Sequence, residues 1–179
     1  SNFVCFGQND VDRYKKYGHK VKNFMPYGSL KLHLVLDKIY STNLGFEDYK
    51  NSHEISFISE IPMQFMIEGN SKIRTPKMWP LSRMKSLMKL IKYTNRFIAN
   101  NKKYKLKILM RSIEGSKYHD IEKKFFYNYF GKDIVINSNN QSITKNYFSA
   151  LNSNLIIGMK STLLCELYGI GKKIVSFSF

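Results

Sequence analysis

The feature that most limits what this chain can fold into is an alternation. From Lys105 onward it reads KLKILMRS, DIEKKFFYNYFG, KDIVIN, ITKNYFSALN, NLIIG, STLLCELYGIG and KKIVSFSF, so that short apolar runs take turns with segments whose apolar residues recur at helical spacing. Strands separated by helices pair most simply in parallel, because a parallel pair needs a long crossover, and the crossover helices then cover the sheet. The expected fold is α/β, a parallel sheet with helices on both faces. HEISFISEI supplies a further strand ahead of this run. LSRMKSLMKLIKYTNRFIAN supplies a long helix with Leu81, Met84, Leu87, Met88, Ile91 and Phe97 near one core-facing side. Pro62, Pro76 and Pro80 prevent the intervening stretch from being one regular helix.

The front of the chain repeats the theme once. NFVCFG reads as a strand, NDVDRYKKYG as a helix with an Asn or Asp cap and a closing glycine, and KVKNFMPYG as a second short strand. KLHLVLDKIYSTNLGFEDYKNS loses its periodicity after Tyr40 and ends in polar residues, which suits a linker. The expected organisation is a strand-helix-strand piece over 1–38, a linker over 39–52 and a larger domain over 53–179.

Composition narrows the function classes. With 43% apolar and 15% aromatic residues the chain can build a packed core. No apolar run approaches the roughly 20 residues that span a bilayer, and SNFVCFGQND lacks the charged start and apolar middle of a signal peptide. A soluble cytoplasmic protein is expected. Cys5 and Cys165 lie among apolar neighbours and read as small core fillers in a reducing compartment. His19, His33, His53 and His119 show no metal-ligand spacing, so no metal is expected. The formal charge of +16 admits nucleic acid, an anionic membrane face or an anionic small molecule. The basic residues are mostly lysine and scattered, without a helix-turn-helix, zinc or RNA-binding signature, so nucleic acid is not the expected partner.

The chemistry concentrates in NLIIGMKSTLLCELYGIG. In an open parallel sheet, ligands collect beyond the carboxyl ends of the strands, where loops enter helix N-termini. Gly158 allows close backbone approach there, Lys160 adds a cation, and the first helical amides point outward with partial positive charge. Ser161 and Thr162 either cap the helix or bind a phosphate. Glu166, among Leu163, Leu164, Cys165 and Leu167, is a carboxylate that is expensive to bury without a partner. It could accept hydrogen bonds from vicinal hydroxyls while the helix start holds a phosphate. Arg111 and Ser112, at the end of KLKILMRS, stand at a second such loop, and the guanidinium suits oxyanions. An alternative for Arg111 is a surface pair with Glu114 or Glu122; Glu122 itself reads as a solvated helix residue, with a supporting role left open by its place after Arg111.

The block STLLCELYGIGKKIV resembles the Ser-Thr-Leu-x-x-Glu-x-x-x-x-Gly-Lys-Lys-Val element in the carboxyl half of GT-B glycosyltransferases and related surface-carbohydrate biosynthesis proteins. KILMRS, EKKFFYNYF and HEISFISE continue the similarity, as does FGQNDVDRYKKYGHKVKNFMPYGSL with its Pro26, Gly28 and Ser29 turn. The resemblance implies two Rossmann-like domains, here the donor-binding domain preceded by the tail of the acceptor domain. It implies a nucleotide-sugar donor held at Glu166 by its ribose and at Gly158, Lys160, Ser161, Thr162, Arg111 and Ser112 by its phosphates, with residues 137–142 near the base. It implies a glycan or lipid-linked acceptor, no metal or other cofactor, and a catalytic base on the missing part. The chain is then expected to be a fragment without turnover of its own, with lysines adding peripheral contact with an anionic membrane. A non-hydrolysing nucleotide-sugar epimerase and a basic nucleic-acid-binding module are the rival readings.

Overall fold

The computed structural model describes residues 2–41, 52–61, 79–139 and 145–177. The chain divides into two compact units, Ser1–Gly45 and Phe46–Phe179.

In the first unit, β1 (Asn2–Val4) and β2 (Asn23–Met25) pair in parallel and α1 (Gln8–Lys16) connects them. Ring contacts hold this small unit: Phe3 lies 5.2 Å and His19 5.1 Å from the ring of Tyr14. The expected Asn or Asp cap is not used. Gly7 occupies the cap position, and its carbonyl accepts from the amides of Asp10 and Val11. Gly28, at φ +79°, makes the turn that no side chain would favour, and Ser29 Oγ then accepts from the Leu32 amide.

This turn starts α2 (Leu30–Ser41), a helix that the sequence reading did not assign. Val35 and Ile39 are buried at a spacing of four, but Leu30 and Leu34 are exposed, so apolar residues all round hide the period. The helix runs through 39–41, the start of the stretch expected as a linker; 42–51 lie outside the described residues.

Among the described residues the second unit forms a five-stranded parallel sheet flanked by helices, a Rossmann-like α/β fold. Its strands are β3 (Glu54–Ile58), β4 (Lys105–Ile113), β5 (Val135–Asn139), β6 (Leu155–Gly158) and β7 (Ile174–Ser176). Its helices are α3 (Trp79–Asn100), α4 (His119–Phe130), α5 (Lys145–Leu151) and α6 (Thr162–Gly169). The spatial order is β5-β4-β3-β6-β7 with every pairing parallel. The chain therefore steps outward from β3 through β4 to β5, then crosses back to β6 on the other side of β3.

Alternate residues of a strand face opposite sides, and the core follows that period. Ile55 and Phe57 of β3, Leu106, Ile108 and Met110 of β4 and Ile157 of β6 pack with Leu87, Leu90 and Ile91 of α3 and Phe126 of α4. Each such burial is worth about 1.5–3 kcal/mol relative to exposure. Phe97, expected on the inward face of α3, is 40% exposed. The buried row continues from Leu87 to Thr94, nearly two turns on, and Phe97 has rotated off it. On the opposite side of the sheet Ser56 Oγ meets Ser153 Oγ at 2.7 Å, and Tyr147, Ala150 and Leu151 of α5 are buried with Leu164 and Leu167 of α6. Cys5 is buried as expected, whereas Cys165 is exposed, on the side of α6 away from Leu164 and Leu167. The Lys172 ammonium is enclosed too, donating to the carbonyls of Leu151 and Ser153 at the end of α5, and burial pushes its pKa down to about 8.

Candidate functional site

The connection from β3 leads to one side of the sheet and the connection from β6 to the other. A parallel sheet opens a crevice at such a reversal, beyond the carboxyl ends of the two strands. A hollow of about 340 Å³ lies there, lined by Ser59 and Glu60 after β3, Met110 and Arg111 near the end of β4, and Lys160, Ser161 and Thr162 after β6, with Arg83 of α3 and Asn146 of α5. Arg111, Lys160 and Thr162 are exposed at its rim. Among the described residues the lining carries the cations Arg83, Arg111 and Lys160 and the acid Glu60, a balance that favours an anion.

Arg111 is aimed by a local departure from the sheet. The β4–β5 register shifts between Leu109 and Ile113. There the amides of Arg111 and Ser112 donate to Glu122 of α4, at 3.1 and 2.8 Å. The hydroxyls of Ser112 and Ser59 donate to the same carboxylate. Glu122 is fully buried, which corrects the expectation of a solvated helix residue. The reason is chemical: four donors converge on it, enough to offset the loss of water around a carboxylate. Ser112 is likewise only 4% exposed and absent from the hollow's lining, so it belongs to the floor beneath Arg111.

The β6–α6 connection is built around Glu60. Its Oε1 accepts from the amides of Met159 at 2.7 Å and Lys160 at 2.9 Å, and its Oε2 accepts from Arg83 Nη2 at 2.8 Å. Gly158 is closely packed: a Cβ there would lie 2.7 Å from Leu164 Cδ1 and 3.3 Å from its Cγ, so that Leu164 would have to shift. Of the two readings of Ser161, the cap is present, with Oγ accepting from the Leu163 amide at 3.2 Å while the residue also borders the hollow.

Glu166 is not among the residues that line the hollow. It lies one turn beyond Thr162 on α6, 7% exposed, and the hydroxyl of Tyr147 on α5 donates to it. Burial, together with this carboxylate, pushes the Tyr147 phenol well above its ordinary pKa. Asn137 Nδ2 donates to Asn146 Oδ1 and Ser149 Oγ, and Asn146 Nδ2 donates to the Met110 carbonyl. The rest of the stretch expected near a base includes 140–142, outside the described residues.

Thus Arg111, Lys160, Ser161 and Thr162 come together, Gly158 and Ser112 support them from within, and Glu166 stands apart. Glu60, Arg83 and Asn146 were missed, and of the two readings of Glu122 the supporting one is present. The rule that picked out Arg111, position at the carboxyl end of a parallel strand, applies equally to Glu60 after FIS. Arg83 and Asn146 arrive from helices, and nothing local in the sequence marks them.

Among the described residues no cluster of His, Cys, Asp and Glu could hold a metal ion, and no helix is long and apolar enough to cross a membrane. Comparison with protein-family models, with curated proteins and with solved structures gives no match.

Proposed function

We propose that the second unit binds the donor of a sugar-nucleotide-dependent glycosyltransferase of the GT-B type, with the donor's diphosphate in the hollow. The observation that carries this reading is the meeting of Arg111, Lys160, Ser161 and Thr162 at the carboxyl ends of the strands on either side of the sheet's reversal. Arg111 offers a planar fork to phosphate oxygens, Lys160 a point charge, and Thr162 a hydroxyl at the start of a helix whose dipole favours negative charge. These groups stabilise a departing nucleoside diphosphate most when its charge develops, as transfer without a metal requires. The acceptor is a glycan or lipid-linked saccharide, and the lysine excess adds attraction to an anionic membrane surface. The ribose is the weakest fit, since Glu166 already holds Tyr147.

Calorimetry of the chain against nucleosides and their diphosphates tests the reading. Binding of the diphosphates, and much weaker binding of the matching nucleosides, is expected. Equal affinity for the two sets would overturn it.

A further inference from the structure

The amides that a phosphate would be expected to use are already occupied. The Met159 and Lys160 amides point at the Glu60 carboxylate, and Arg83 closes on its other side at 2.8 Å. The Glu60 side chain is only 5% exposed, yet the residue borders the hollow along with Arg111 and Lys160. A carboxylate shares with a phosphate oxygen pair its charge, its planar spread of acceptors and its fit to two amides and a guanidinium.

We infer that Glu60 is a built-in stand-in for the ligand: it holds the Met159–Lys160 amides and Arg83 while the hollow is empty, and an entering phosphate competes with it for them. The inference rests on the phosphate reading of the hollow and adds its regulation. Without an anion, the Met159 and Lys160 amides would lack an acceptor, at a penalty that Glu60 removes. With a phosphate in the hollow, the same carboxylate becomes a like charge beside the ligand and opposes binding. Affinity is therefore set by an exchange of anions, and Glu60 holds it below what the cations alone would give. The device also discriminates. A ligand that brings several acceptor oxygens can take over the amides and Arg83, whereas a singly charged carboxylate ligand merely exchanges like for like.

The test is titration of the full chain with inorganic pyrophosphate, comparing wild type with Glu60→Gln. Glutamine keeps an acceptor oxygen for the amides and removes the charge. The variant is expected to bind at least about tenfold tighter, the factor that corresponds to roughly 1.4 kcal/mol. A folded variant that binds pyrophosphate no better than wild type overturns the role of Glu60 and leaves the phosphate hollow standing. Binding by neither protein overturns both. A wild-type measurement covers the case in which the variant does not fold: the Glu60 carboxyl and the Met159 and Lys160 amide resonances should shift as pyrophosphate saturates the protein. Stationary resonances at saturation contradict the exchange.

Discussion

The floor and the rim of the hollow are both polar, and they put that polarity to opposite uses. At the floor, Glu122, Ser112 and Ser59 are enclosed, and their polar atoms are spent on each other and on the backbone. At the rim, Arg111 and Lys160 are exposed, with their charge directed at solvent and at the hollow. Arg111 and Ser112 are neighbours in sequence, and a strand turns successive side chains to opposite sides, so one becomes rim and the other floor. A polar residue beside a presumed ligand site is thus as readily part of the scaffold as part of the site, and only its burial separates the two.

The contrast breaks most visibly at Glu122. Glu122→Ala leaves the amides of Arg111 and Ser112 and two hydroxyls without their acceptor, and should lower stability by roughly 3 kcal/mol, read from denaturant unfolding. A loss below the error of that measurement would mean that the floor is not held by this carboxylate. A smaller effect sharpens the same contrast at α6. Tyr147→Phe removes one hydrogen bond to a buried carboxylate, with an expected loss of about 1–2 kcal/mol in stability and no change in pyrophosphate affinity. A clear fall in affinity with stability intact would instead bring Glu166 back to the site.

Much of the fold was legible because it is periodic. The succession KLKILMRS, DIEKKFFYNYFG, KDIVIN and onward dictated parallel strands with helical crossovers, and each of those segments forms the expected element. Where pattern is blurred the reading failed: α2 carries exposed Leu30 and Leu34 on the side opposite Val35 and Ile39. The site was legible in its strand-end residues, since Arg111, Lys160, Ser161 and Thr162 share a positional rule that topology converts into proximity. At Glu166 the structure supplies a partner that the sequence does not mark. An acid among leucines does need a partner, but Tyr147 meets that need from within the protein. For Glu122 the supporting reading prevails over the solvated one, because the residue shares the inward side of α4 with Phe126, four residues on, and both are buried.

The central claim is that Arg111 at the rim serves an anionic ligand and not the fold. Pyrophosphate affinity of wild type and Arg111→Ala, measured beside their unfolding free energies, tests it most directly. The account predicts an affinity loss of about 1.5–3 kcal/mol for a charged hydrogen-bonding group, with stability within about 0.5 kcal/mol of wild type. Unchanged affinity, or a loss of stability that accounts for the loss of binding, would contradict it.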